Sequence, residues 1–403
     1  MMKALFRKKV ISIFLYLYNM ALWVIGKVTN KEKPAEKKEK TVVLTGTFYS
    51  SNWIESHVVP LAKSKNCKKL FLVSSKQFTN IDGISIVCPP VTLEKIIGNV
   101  PSRLFYFMYI VVKVKPDIVG GFHLLFNGMI AQLVAKIANA QSLYFCVGGP
   151  AEVIGGGIDS ENKLFGKQDK PDFNIEEKLI RVVRGFDHVI TMGSSAKQYF
   201  KDKNVNATIN IVSGGINDSK FNVSKVDPKY DFIFIGRLAK IKRIDIYLQA
   251  IKLLVEAGHK PSAVIVGDGE LKDELEMLSR TLDISDCVEF VGAKADIEYW
   301  HSISKVFVLT SDSEGLSLAL IEAMMSGLPA VVSDVGDLSD IVVDGSNGFL
   351  VDSREPRQFM QKMELLLTDS NLYKKYSNEA KKTADRYKIE NTTKLWDNIL
   401  GAI

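Results

Sequence analysis

From Thr41 onward the chain repeats one pattern that few folds accommodate: a short apolar run, a turn bearing glycine, then a helical stretch. Such alternation predicts parallel sheets covered by helices on both faces. The predicted strands of the first half are Thr41–Thr45, Lys69–Ser74, Ile84–Val87, Asp117–Val119, Leu143–Val147, His188–Thr191 and Thr208–Val212, with helices such as Phe126–Ala138 and Ile175–Gly185 between them. After a polar joint near Val223–Lys229 a second run begins, with strands Asp231–Ile235, Ser262–Val266, Val288–Val291, Lys305–Thr310 and Ala330–Val332. A length of 403 residues suits two such domains rather than one core.

Open sheets of this kind bind ligands at the carboxyl ends of their strands. In the second domain those ends carry Gly236, Gly267 and Gly292, and then the segment SDSEGLSLALIEAMMSGLP at 311–329. Glu314 lies in the loop of that segment, and Glu322 is predicted about two turns into the following helix, so the two carboxylates can grip one ligand at separate points. Gly315, Leu316 and Ser317 lead into the helix N-terminus, where free amides and the positive dipole end suit phosphate. Arg237 and Lys242 follow the Gly236 turn, a planar fork and a point charge suited to a diphosphate.

The first domain offers less. Gly46 permits close backbone approach after the first strand, without the three spaced glycines of a dinucleotide fingerprint. His123 stands after the strand-like PDIV, either as a hydrogen-bonding group for a ligand hydroxyl or as a satisfied histidine of the fold. The segment CVGGPAEVIGGG (146–157) carries Glu152 and reads equally as a pocket-shaping loop or as a plain one.

The net charge of +6 sits almost wholly in residues 1–40, which hold ten Lys/Arg and three Glu, so the folded body is near neutral and does not read as a nucleic-acid binder. Within that tail Val10–Ile25 is nearly all apolar, with basic residues at both ends. Ser12, Tyr16, Asn19 and Trp23 form a weakly polar stripe opposite Ile11, Leu15, Leu22 and Ile25. That composition predicts attachment of residues 1–30 to a membrane, as an interfacial helix or a short span, with packing on the body as the alternative. Residues Asn30–Lys40 read as a charged linker. The four cysteines have no paired spacing, which predicts buried, reduced thiols of a cytosolic protein and no zinc site.

The ordered set Gly215-Ile216-Asn217 with Phe221, GRLAKIK at 236–242, VGDGE at 266–270, FVG at 290–292, SEGLSLALIEAMMSGLP at 313–329 and VGDLSDIVVDGSNGFLV at 335–351 resembles the family-four retaining glycosyltransferases of the GT-B fold. The resemblance covers roughly 41–403. It implies two Rossmann-like domains facing across a cleft, an acceptor domain at 41–222 and a donor-binding domain at 223–385, with residues 386–403 returning as a helix to the first domain. It further implies a nucleoside-diphosphate sugar as donor, of UDP or GDP type, with no cofactor and no metal. Glu314 would contact sugar hydroxyls, Glu322 the ribose, and Arg237 with Lys242 the diphosphate, helped by the amides of Gly315, Leu316 and Ser317. Gly236, Gly267 and Gly292 would border the donor, His123 would stand beside the reacting carbon, and Gly46 with Glu152 would lie on the acceptor side. Three positions depart from the family pattern: Thr47 follows Gly46 where a second glycine is usual, His123 is displaced by about one position, and Asn217 replaces Asp.

These residues together predict transfer of a sugar to an acceptor hydroxyl. The basic, apolar tail adds a lipid-linked glycan as the expected acceptor, at the cytoplasmic face of a membrane, in surface-polysaccharide or glycolipid assembly. The rivals are a nucleotide-sugar epimerase of similar fold and a non-catalytic nucleotide-sugar-binding partner.

Overall fold

The computed structural model describes every residue except 1, 29–37, 49, 80, 159, 161–164, 166–169 and 222–226. Most of the charged linker and half of the joint at 223–229 therefore lie outside the described residues. The chain divides into two compact units, Met1–Gly215 with Glu390–Ile403, and Ile216–Ile389.

Unit 1 opens with α1 (Met2–Val28), followed by β1 (Lys40–Thr45), α2 (Ser51–His57), α3 (Val59–Ala62), β2 (Cys67–Val73), β3 (Ile84–Val87), α4 (Val91–Ile97) and α5 (Asn99–Val114). It continues through β4 (Ile118–Phe122), α6 (Met129–Ile137), β5 (Gln141–Cys146), α7 (Phe173–Arg184), β6 (His188–Thr191), α8 (Ser194–Asp202) and β7 (Thr208–Ile211). The strands form a parallel seven-stranded sheet in the order β3-β2-β1-β4-β5-β6-β7, so the direction of winding reverses between β1 and β4. Strand β4 runs on to Phe122, beyond the predicted end at Val119, because Gly120 and Gly121 pair with Leu143 and Tyr144 of β5.

Helix α1 belongs to this unit. Ile11, Leu15, Tyr18 and Leu22, at helical spacing, are buried with Leu179, Val183 and Met129. The Tyr18 hydroxyl lies 2.8 Å from both the Met129 carbonyl and Gln132 Oε1, Lys8 pairs with Asp172 at 3.2 Å, and Lys178 donates to Ser12. At about 1.5–3 kcal/mol for each fully buried aliphatic side chain, Ile11, Leu15 and Leu22 contribute on the order of 5–9 kcal/mol. The expected stripes match the packing: Ile11, Leu15 and Leu22 of the apolar stripe are buried, while Tyr16 and Trp23 of the weakly polar stripe are exposed. The outward side also carries apolar residues, Ile13, Leu17, Met20 and Val24. Its segment Arg7–Lys27 is long and apolar enough to cross a membrane.

Unit 2 holds β8 (Tyr230–Ile235), α9 (Ile244–Glu256), β9 (Ala263–Val266), α10 (Lys272–Thr281), β10 (Val288–Gly292), α11 (Ile297–Ser302), β11 (Ser304–Leu309), α12 (Leu318–Met325), β12 (Ala330–Ser333), β13 (Gly348–Val351), α13 (Pro356–Thr368) and α14 (Ser370–Ala384). Its parallel sheet has the order β10-β9-β8-β11-β12-β13, reversing between β8 and β11. Both crossings out of this unit are stitched together inside it: the Ile216 amide donates to the Tyr387 carbonyl (2.8 Å) and the Ile389 amide to the Ile216 carbonyl (3.0 Å). Phe221 is already buried in the core of unit 2.

The last helix, α15 (Ile389–Gly401), is fastened to unit 1. Asp397 accepts from the Ser64 hydroxyl (2.6 Å) and the Lys65 amide (2.9 Å), Thr392 donates to the Gly214 carbonyl (3.0 Å), and buried Trp396 stands 5.9 Å from the Phe145 ring.

Candidate active site

In unit 2 the strand order reverses between β8 and β11, the point at which open sheets bind ligands, and in the loops after those two strands Lys242 meets Glu314. Lys242 Nζ lies 2.6 Å from Glu314 Oε1, with both side chains largely buried. The Ser311 hydroxyl donates to the same carboxylate oxygen. Thr310, at the end of β11, donates to the carbonyls of Lys242 (3.1 Å) and Arg243 (2.8 Å), and the Asp312 amide donates to the Ile241 carbonyl (2.8 Å). The two loops are thus tied along their backbones, and the ion pair is held rather than merely adjacent. Arg237 lies exposed on the β8 loop.

Two glycines make this arrangement possible. A Cβ on Gly267 would stand 1.8 Å from the Gly236 carbonyl oxygen, and one on Gly336 would stand 1.8 Å from the Glu314 carbonyl oxygen. Only glycine lets the loops after β9 and β12 press against those after β8 and β11. Gly292, at φ +73°, ends β10, and its carbonyl accepts from the Gly267 amide (2.9 Å).

Ser317 caps α12, its hydroxyl accepting from the Leu320 amide at 3.3 Å, so Gly315 and Leu316 precede the helix and Ser317 is its N-cap. The helix starts later than the sequence suggested. Glu322 is its fifth residue, little more than one turn in, because residues 314–316 remain loop. Burial pushes the Glu322 carboxyl up to about 7; the Lys220 cation offsets part of this, and Glu298 adds to it. The sequence reading gave no role to Ser311, at the head of the 311–329 segment, or to Lys220, in the short helical turn Asp218–Lys220. It also missed Arg243 and Arg354, which pair with Asp312 at 3.3 and 2.9 Å.

In unit 1 the reversal between β1 and β4 places the Gly46 loop beside His123. Gly46 is packed from within: a Cβ there would meet the Phe48 ring at 2.8 Å and Phe122 Cβ at 2.9 Å. Its carbonyl accepts from buried Arg103, which also donates to Asn127 Oδ1 at 2.9 Å. His123 follows β4 in a left-handed conformation (φ +64°), where a non-glycine residue is strained, and its amide donates to the Phe145 carbonyl (3.0 Å).

Its ring explains the strain. His123 Nδ1 lies 3.0 Å from Glu152 Oε1, 29 residues away in sequence. Glu152 is buried and saturated: Oε1 also accepts from the Gly148 amide (2.7 Å), and Oε2 accepts from the Leu124 amide (2.7 Å) and the Tyr144 hydroxyl (2.9 Å). Burial pushes the Glu152 carboxyl up, yet His123 and the two amides outweigh it and hold the group below the usual carboxylate range. The glycine-rich segment is therefore an ordered support. Its Gly155 amide donates to Glu176 (2.8 Å), and its Gly155 carbonyl accepts from the Asp172 amide (2.9 Å).

Among the described residues no cluster of His, Cys, Asp and Glu is arranged to hold a metal ion. The cysteines are free, and Cys146 is buried.

Residues 216–383 match the family profile described as Glycosyl transferases group 1. An uncharacterized glycosyltransferase of Haemophilus influenzae is 28% identical over 216 residues, covering 53% of this chain and 61% of that protein. A Campylobacter jejuni α-1,4-N-acetyl-D-galactosaminyltransferase, named for a GalNAc-α-(1→4)-GalNAc-α-(1→3)-diNAcBac-PP-undecaprenol substrate, is 29% identical over 223 residues, covering 54% of this chain and 60% of that protein. The chain thus spans about six tenths of the length of these relatives. The structure of Anabaena HepE with UDP-glucose shares the fold at TM-score 0.68 and 15% identity, over 91% of this chain and all of that one.

Proposed function

From a chain of the GT-B fold whose residues 216–383 are a group 1 glycosyl transferase domain, we propose a retaining transferase that moves a sugar from a nucleoside-diphosphate donor to an acceptor hydroxyl. The observation that carries this reading is the Lys242–Glu314 pair at the point of sheet reversal, backed by glycine turns and the start of α12. The bond between the sugar's anomeric carbon and the diphosphate oxygen breaks, and the acceptor oxygen bonds that carbon on the same face. The acceptor's proton leaves with the diphosphate. Lys242 and Arg237 meet the charge that develops on the diphosphate, with the amides of Gly315, Leu316 and Ser317. Glu314 orients sugar hydroxyls, Glu322 receives the ribose hydroxyls, and unit 1 contributes His123, fixed by Glu152. Charge stabilisation by side chains and amides leaves no step that calls for a metal.

UDP is the first donor nucleotide to test, since HepE, which shares the fold, binds UDP-glucose. The acceptor is a lipid-diphosphate-linked glycan, of the kind that the Campylobacter relative's name gives for that protein, and the reaction takes place at the cytoplasmic face. Helix α1 supplies membrane contact through its outward apolar side.

A panel of nucleotide sugars incubated with and without lipid extract, with chelator present, tests this. Nucleotide released only with acceptor is the expected result. Isomerised sugar without acceptor would make the protein an epimerase, and donor bound without any release would make it a binding partner.

A further inference from the structure

Helix α5 turns an apolar face outward. Ser102, Arg103, Phe107, Ile110 and Val111 face the sheet, while Phe105, Tyr109 and Val112, on the opposite side, are 58%, 52% and 63% exposed. The covering helix of a soluble sheet normally carries polar residues at those positions. Just before it, α4 exposes Val91 and Ile96.

The placement of this face gives it meaning. From β3 through β4 and β5 to β6 every connection moves in one direction across the sheet. Right-handed crossovers therefore put α5, α6 and α7 on the same side. Helix α1 lies outside α6 and α7 on that side, through Tyr18 to Met129 and Gln132 and through Lys8 to Asp172. The exposed apolar residues of α1 and α5 thus flank α6 on one side of unit 1. Contacts from Lys8 to Leu22 hold α1 along the body for about 20 Å, at 1.5 Å per residue, so α1 lies with the unit's surface.

We propose that α1 and α5 together form one face that seats on a bilayer bearing anionic headgroups, with α5 as a second point of contact beside α1. Charge identifies the occupant. Arg7 and Lys9 precede the apolar run of α1 and Lys27 follows it, and Lys95, Lys113 and Lys115 stand at the ends of α4 and α5. The one acid of α4 and α5, Glu94, is bonded to Asn99 at 3.0 Å. Lys27 lies over the Trp23 ring at 3.9 Å and Lys113 over Tyr109 at 5.7 Å, an aromatic and basic rim of the kind that sits at headgroup level. A second copy pairing through the same face would bring these cations together, whereas anionic lipid meets them.

The inference takes from the proposed function only its membrane-borne acceptor, and the two fail separately: transfer to detergent-dispersed acceptor tests the reaction, and vesicle flotation tests this face. Full-length protein is floated with vesicles of phosphatidylcholine alone and of phosphatidylcholine with phosphatidylglycerol. The parent should partition preferentially to the anionic vesicles. The variant Phe105→Ser/Tyr109→Ser/Val112→Ser should lose at least about tenfold in partition while keeping the parent's circular dichroism spectrum and cooperative unfolding. Lys113→Glu/Lys115→Glu, on exposed side chains that the fold does not need, should lose about tenfold on anionic vesicles alone. Partition of either folded variant within about twofold of the parent would overturn the proposal. So would self-association in the absence of lipid that the α5 substitutions abolish.

Discussion

Glu322 offers the sharpest test of the donor site, because its burial leaves a measurable mark in the absence of any ligand. The carboxyl sits near 7 in the folded protein against an ordinary 4.5. For an acid raised in this way, the fold favours the protonated form. The stability that form contributes is whole below about pH 4.5 and is lost as pH rises through about 7. At about 1.4 kcal/mol per unit, the ionised group costs the fold about 3 kcal/mol at about pH 8.5 and about 1 kcal/mol at about pH 5.5. Glu322→Gln keeps the shape and removes the charge. It should therefore stabilise the protein by up to about 3 kcal/mol at the higher pH and by about 2 kcal/mol less at the lower one, read by urea unfolding.

The same variant should bind the nucleotide more weakly, since ribose hydroxyls donate to a carboxylate better than to an amide. In the parent those hydroxyls favour the ionised form, so nucleotide binding near pH 6 should release a proton, seen by calorimetry in buffers of different ionisation enthalpy. An equal stability change at both pH values, or proton release that survives in Glu322→Gln, would refute the reasoning.

Removal of either member of the Lys242–Glu314 pair, by Lys242→Ala or Glu314→Ala, should lower transfer by at least about a hundredfold with the fold intact by circular dichroism; full activity in either variant would remove the pair from the site. Glu152 is shifted the other way, so its stabilising contribution is present above its ordinary value near 4.5 and is lost as pH falls through its lower folded value. Glu152→Gln should accordingly destabilise the protein at neutral pH, converge on the parent in acid, and lower kcat more than it changes the donor KM. Leu15→Ala should cost about 2–5 kcal/mol if α1 is part of the unit, and an unchanged Tm would show that the helix stands apart.

The strand ends were legible because each strand is short, apolar and followed by a glycine that the turn requires. Gly267 and Gly336 carry that signal in backbone contacts no other residue could make. Strand β13 went unread because GFLV at 348–351 offers four residues without alternation, and it becomes a strand only by pairing with β12. The Ser317 cap, which moves Glu322 one turn toward the helix start, was hidden by three serines in one loop, Ser311, Ser313 and Ser317, any of which could cap. For α1 the buried side was legible, since Ile11, Leu15 and Leu22 are the apolar stripe read from spacing. That this side meets protein was not, because Ile13, Leu17, Met20 and Val24 make the other side apolar as well. His123 and Glu152 meet only because β4 and β5 are neighbours, a fact of sheet order and not of spacing.

Glu152 and Glu322 differ in how far the fold itself satisfies them. Glu152 already accepts from two amides and the Tyr144 hydroxyl and faces His123, and its carboxyl is held low despite burial. Such a group has its hydrogen-bonding capacity used from within, and its work is to fix another side chain. Glu322 is half-buried, and its surroundings push its carboxyl up, with the Lys220 charge offsetting part of the effect. A carboxyl raised in this way is a candidate for ligand contact, because hydroxyl donors would favour its charged form. The contrast favours a positioning role for Glu152 in unit 1 and agrees with the ligand contact proposed for Glu322 in unit 2.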